Sequence, residues 1–170
     1  EIAKIKSDGS IKEAIKNIVK AIELKKDFPP FIKLYLELIS KSGNLSLLKK
    51  NIRKYWYSKP TSTLRSIISR IIINNNLSDL SFINQVIKNN NDNEESKKLL
   101  IYFAIQNENW KIAREKISGL IGSNPSKEIC IFMASIELGE HNDKQKSDSW
   151  LLRSENSLSE DTWVCKITNQ

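Results

Sequence analysis

Residues 43–60, GNLSLLKKNIRKYWYSKP, open on the turn dipeptide Gly43-Asn44 and close on Pro60. Between them Leu45, Leu48, Ile52 and Tyr55 stand two, five, nine and twelve residues after Gly43. Those offsets lie on one face of a helix. A proline just past the helix cannot continue it and so punctuates the unit. The same cadence returns along the chain. Its other turns are Gly9-Ser10, Asn75-Asn76, Glu108-Asn109 and Asn142-Asp143, and the steps from turn to turn are 34, 32, 33 and 34 residues. A period in that range predicts stacked helical hairpins in place of one enzyme-like core.

The internal register repeats as well. Five residues after each turn stand Ala14, Leu48, Leu80, Ala113 and Ser147, and nine after stand Ile18, Ile52, Asn84, Ile117 and Leu151. Small residues there let paired helices approach closely. A second amphipathic stretch runs before each turn, as in Ile32, Tyr35, Leu36 and Ile39, or Leu64, Ile67, Ile68 and Ile71.

This cadence resembles the tetratricopeptide repeat, in which a glycine or asparagine turn joins two antiparallel helices, alanine follows five residues on and proline closes the unit. The middle repeats depart from the pattern, with Leu80 at the small position and Asp92 at the proline position. The expectation is an all-α, tetratricopeptide-like right-handed α-solenoid occupying residues 1–170 as one domain. It comprises a partial repeat over 1–26, repeats over 27–60, 61–92, 93–125 and 126–158, and a tail over 159–170. Nine helices are predicted, at 11–26, 30–42, 45–57, 61–74, 77–90, 94–107, 109–122, 126–140 and 143–157.

Composition narrows the function classes. Lysine outnumbers arginine 22 to 5, and the net charge is +7. Such a balance suits a nucleic-acid or membrane-surface partner. It equally suits lysines accumulated on solvated faces by an AT-rich genome, and arginine, the better bidentate phosphate ligand, is scarce. The two cysteines, Cys130 and Cys165, have neither disulfide-framework nor metal spacing, and Cys130 lies in an apolar stretch that predicts a buried free thiol. No apolar run approaches the length of a membrane span. The chain opens at Glu1, and Ile11 to Ala21 read as the second helix of a repeat whose first helix is mostly missing. The expectation is a piece of a longer protein.

Tests for chemistry are mostly negative. The five glycines form neither a phosphate-binding loop nor a dinucleotide fingerprint. His141, the one histidine, sits in a turn sequence, Gly139-Glu140-His141-Asn142-Asp143, and a lone histidine without clustered cysteines makes no zinc site. No nucleophile has a plausible base. Neither enzyme activity, cofactor nor metal site is expected. Of the neighbours Trp56 and Tyr57, one must point away from the buried face.

The last third carries a more specific likeness. Asn109-Trp110-Lys111-Ile112-Ala113-Arg114, Ile129 to Glu137, Glu140-His141-Asn142-Asp143, Ser149-Trp150-Leu151 and Asp161-Thr162-Trp163-Val164-Cys165 follow one another as in the carboxy-terminal repeats of the HemY-type tetratricopeptide proteins of alphaproteobacteria. Lys54 to Pro60 also resembles that family. The resemblance spans roughly 12–165, with its discriminating motifs in 109–165. It implies a protein anchored in the inner membrane by an upstream segment, with this domain on the cytoplasmic side, associated with late haem biosynthesis and with enzymes of that pathway as partners. Thr162 departs from the family proline, and Cys165 lacks the second cysteine that some relatives carry three residues on.

The leading functional expectation is a non-enzymatic protein-interaction scaffold. In tetratricopeptide arrays the first helix of each repeat lines the concave face. Counting back from the turns places Lys33, Lys41, Arg65, Ser69, Lys98, Tyr102, Phe132 and Ile136 there. Such a groove suits an acidic protein segment or peptide. Lys33, Arg65 and Lys98 stand ten residues before their turns and predict a cationic stripe. The alternatives are a soluble helical adaptor unrelated to haem and a helical-repeat RNA-binding module. The latter lacks a repeated polar recognition pair, so no nucleic acid is expected as a partner.

Overall fold

A computed structural model describes the backbone of residues 2–157 and the side chains of 9–157. Among the described residues every regular element is a helix. The helices are α1 (Ile2–Leu24), α2 (Pro29–Lys41), α3 (Leu45–Ser58), α4 (Ser62–Asn74), α5 (Leu80–Ile87), α6 (Glu94–Gln106), α7 (Trp110–Ser118), α8 (Lys127–His141) and α9 (Lys144–Glu155). The chain divides into two compact units, Glu1–Leu77 and Ser78–Gln170.

Four of the five turn signals are turns, for one physical reason. Gly43, Asn76, Glu108 and Asn142 have φ of 72°, 54°, 53° and 51°, and no other described residue has positive φ. A left-handed residue after a helix lets the following N–H groups reach back to the last carbonyls. Asn76 and Leu77 bond back to Ile73 and Ile72 in this way, and Glu108 and Asn109 to Ile105 and Ala104. The next residues then cap the following helix. The side-chain oxygens of Asn44, Asn109 and Asp143 accept from the N–H groups of Leu47, Ile112 and Lys146. One dipeptide thus ends one helix and starts the next.

The fifth signal is a correction. Gly9-Ser10 lies inside α1, which runs unbroken from Ile2 to Leu24. A helix-interior glycine costs only about 1 kcal/mol relative to alanine, and here no left-handed φ accompanies it. A second correction concerns α5, which starts at Leu80 and not at 77. Asp79 caps it by accepting from the Ser81 N–H, while Leu77 is buried at the preceding turn.

In the first unit α2 packs against α1, α3 and α4. Its core holds Leu36, Ile39, Leu48, Ile52, Trp56, Ile68 and Ile72, all fully buried. The Ser40 hydroxyl donates to the Asn75 side chain at 2.8 Å, tying the end of α2 to the end of α4. In the second unit α6 packs against α5, α7 and α8, and α8 continues onto α9. One core cluster there joins Ile101 and Ala104 of α6, Ala113 and Ile117 of α7, and Ile129, Phe132, Met133 and Ile136 of α8. Asn107 repeats the role of Asn75. It bonds its own helix at the Phe103 carbonyl and reaches out to the Ser78 carbonyl at 2.9 Å.

Candidate functional site

The predicted groove residues fall into three environments. Lys33 and Lys41 are exposed on α2, and Ser69 of α4 and Tyr102 of α6 are half-buried. Arg65, Lys98, Phe132 and Ile136 are buried. Phe132 and Ile136 belong to the core cluster of the second unit, so their side chains serve packing.

Register explains the scatter. Counted from the left-handed residues, the position ten before the turn is Lys33, Ser66 and Lys98 for the first three turns. The second turn is centred on Asn76, so Arg65 falls one residue out of step. In α8 the buried set is Ile129, Cys130, Phe132, Met133, Ala134, Ile136 and Glu137. In α6 it is Ser96, Lys98, Leu99, Leu100, Ile101, Phe103 and Ala104. A shift of 33 superposes six of those seven, whereas the left-handed residues are 34 apart. The extra residue sits in the last turn of α8, where the Asp143 N–H reaches back to the Glu137 carbonyl. Phe132 therefore matches Leu99, a core position.

Lys98 is buried but not unpaired. Its ammonium lies 2.9 Å from Glu94, 3.7 Å from Glu95 and 3.9 Å from Glu128. The first two carboxylates are on its own helix, and the third reaches across from the start of α8. A charge removed from water needs partners in this way. Its positive field is cancelled locally, so Lys98 cannot serve as the cation of an open groove. The sequence does carry a signal for this. Glu94 and Glu95 stand four and three residues before Lys98, the spacing of intrahelical ion pairs.

A second cluster was not anticipated. Arg114 of α7 donates to Glu137 of α8 at 2.9 Å and to Glu140 one turn further on. The hydrogen bond to Glu137 is the main reason its pKa is raised, and Glu140 adds to the effect. Glu137 is itself buried, at the place where α6 has Ala104. Next to it, the six-membered ring of Trp110 packs against Gly139, and any side chain at 139 would collide with the indole. The two contacts lock α7 onto α8.

The remaining chemical candidates are placed as follows. The Cys130 thiol is free and buried, near the Pro125 carbonyl. Cys165 lies outside the described residues, as does the whole Asp161–Cys165 motif. His141 is exposed, with Nε2 3.3 Å from Glu140. Among the described residues there is no group of three histidine, cysteine or carboxylate side chains that could hold a metal, and no helix long and apolar enough to cross a membrane. Trp56 is fully buried and Tyr57 is 63% exposed, so Tyr57 is the aromatic that points away.

In the first unit Tyr35 of α2 meets Tyr55 of α3 edge to face, with centroids 6.2 Å apart. Burial, with a smaller contribution from Tyr35, pushes the Tyr55 phenol up to about 12. Comparison with protein families, curated proteins and solved structures finds no match to this chain.

Proposed function

We propose that the chain is a non-enzymatic protein-binding module in which hairpins stack, within each unit, in the manner of tetratricopeptide repeats. The observation that carries this reading is the packing of first helix on first helix. In each unit the first helix of a hairpin meets its own partner and also the first helix of the next hairpin, α2 on α4 and α6 on α8. That arrangement, with left-handed turns 33, 32 and 34 residues apart, supports a right-handed stack whose first helices present a recognition face.

The face with free charge is on the first unit, at Lys33 and Lys41 of α2. An acidic peptide is the ligand such a face suits. The HemY-type resemblance adds the proposal that the peptide belongs to an enzyme of late haem synthesis and that an upstream segment anchors the protein to the inner membrane. The test is isothermal titration of the chain with acidic, neutral and basic peptides of equal length. Preference for the acidic peptide, weakened by Lys33→Glu with Lys41→Glu, supports the reading. Equal affinity of wild type and double variant for the acidic peptide overturns it.

A further inference from the structure

The positive charge of this protein is not spread along it. Residues 1–77 hold sixteen lysines and arginines against six acids, a net +10, while residues 78–170 hold eleven against fourteen, a net −3. Between Glu37 and Asp79 no acidic residue occurs in 41 positions, against eight cations. Codon drift toward lysine would load both units alike and would not strip one of acids. Segregation of this kind builds a directed field.

The cations converge most closely on α3. Its buried face is Leu48, Asn51, Ile52, Tyr55 and Trp56. The opposite face carries Lys50, Arg53, Lys54 and Tyr57, with Lys59 just beyond the helix. Lys50, Lys54, Tyr57 and Lys59 are exposed and Arg53 is half-buried. Tyr57 thus presents an accessible ring with cations one and two turns before it and two residues after it.

We infer that this outer face of α3 binds single-stranded nucleic acid, its phosphates meeting the cations and a base stacking on Tyr57. Two observations favour that ligand over other polyanions. A membrane-surface helix needs a continuous apolar stripe to insert, and on α3 Leu48, Ile52 and Trp56 are fully buried in the protein, leaving Leu45 at the first turn as the one large aliphatic side chain exposed. An acidic peptide gains nothing from a lone exposed aromatic among lysines, whereas cation-flanked aromatics are the standard platform for unpaired bases. The face is distinct from Lys33 and Lys41 of α2, so it stands or falls apart from peptide binding.

The experiment is fluorescence anisotropy of the whole chain with a labelled oligouridylate, with poly-glutamate and anionic phosphatidylserine vesicles as competing probes. The expected result is binding that weakens with salt, at a slope of about −0.7 for each phosphate neutralised. Lys50→Gln, Lys54→Gln and Lys59→Gln together should flatten that slope. Tyr57→Ala should lower oligouridylate affinity about 5- to 150-fold, the range for loss of one stacked base, while sparing poly-glutamate. Circular dichroism melts check that each variant folds, and Tyr57→Phe, which keeps the ring, should retain binding. Failure to bind oligouridylate overturns the inference. So does a silent Tyr57→Ala, or vesicle binding that exceeds oligonucleotide binding, the first pointing to a generic acidic partner and the second to a membrane.

Discussion

Lys98 and Gly139 show how single residues set the spacing of helices in the second unit. Lys98 joins α6 to α8 through Glu128, and its removal leaves three carboxylates facing one another. Lys98→Met is expected to lower unfolding free energy by about 1–3 kcal/mol, since the stranded acids remain partly solvated. Urea denaturation measures it, and an unchanged midpoint would mean the cage is not formed. Gly139→Ala places a methyl group where the Trp110 ring lies. The expected cost is about 1–3 kcal/mol from overpacking, and Trp110→Leu in the same chain should recover part of it. Tyr55 gives a pH signature in the first unit. Its folded pKa is raised from 10.0 to about 12, so the folded state holds the proton more tightly than the unfolded chain does. That stability is fully present below pH 10 and is lost as pH rises toward 12. Tyr55→Phe should flatten the decline of stability in that window, as read by urea titrations at successive pH values.

At the scale of elements, helix ends were legible in the sequence where the chemistry of the turn is restrictive. A left-handed residue followed by a cap calls for Gly, Asn or Asp, and Gly43-Asn44 and Asn142-Asp143 satisfy both demands in two letters. Gly9-Ser10 likewise offers a glycine followed by a capping residue and yet is helix, because glycine permits a left-handed φ without requiring one. The start of α5 was missed because Asp79, three residues past the left-handed Asn76, is the residue that caps it. Ala113 was read as a close-approach position, and it is fully buried in the core cluster between α6 and α8. Ala113→Trp is expected to cost at least about 1–3 kcal/mol. An unaltered thermal midpoint would contradict that placement.

At the scale of the whole molecule, the all-α class was legible and the environments of the expected groove residues were largely not. Periodicity reports which residues share a face, but a one-residue difference in turn length moves every side chain by about 100° around its helix. Such slips took Arg65 out of the stripe and put Phe132 into the core. The partition of charge was open to view in the sequence, yet it acquires meaning only with the boundary at Leu77. The claim beneath the whole account is that four left-handed turns separate consecutive helices among the described residues. Backbone chemical shifts and HN–Hα couplings of the isotope-labelled chain test it most directly. The account predicts positive φ at Gly43, Asn76, Glu108 and Asn142, with uninterrupted helical shifts through Gly9 and Ser10. Helical shifts running through two or more of those four residues, or a break at Gly9, would contradict it.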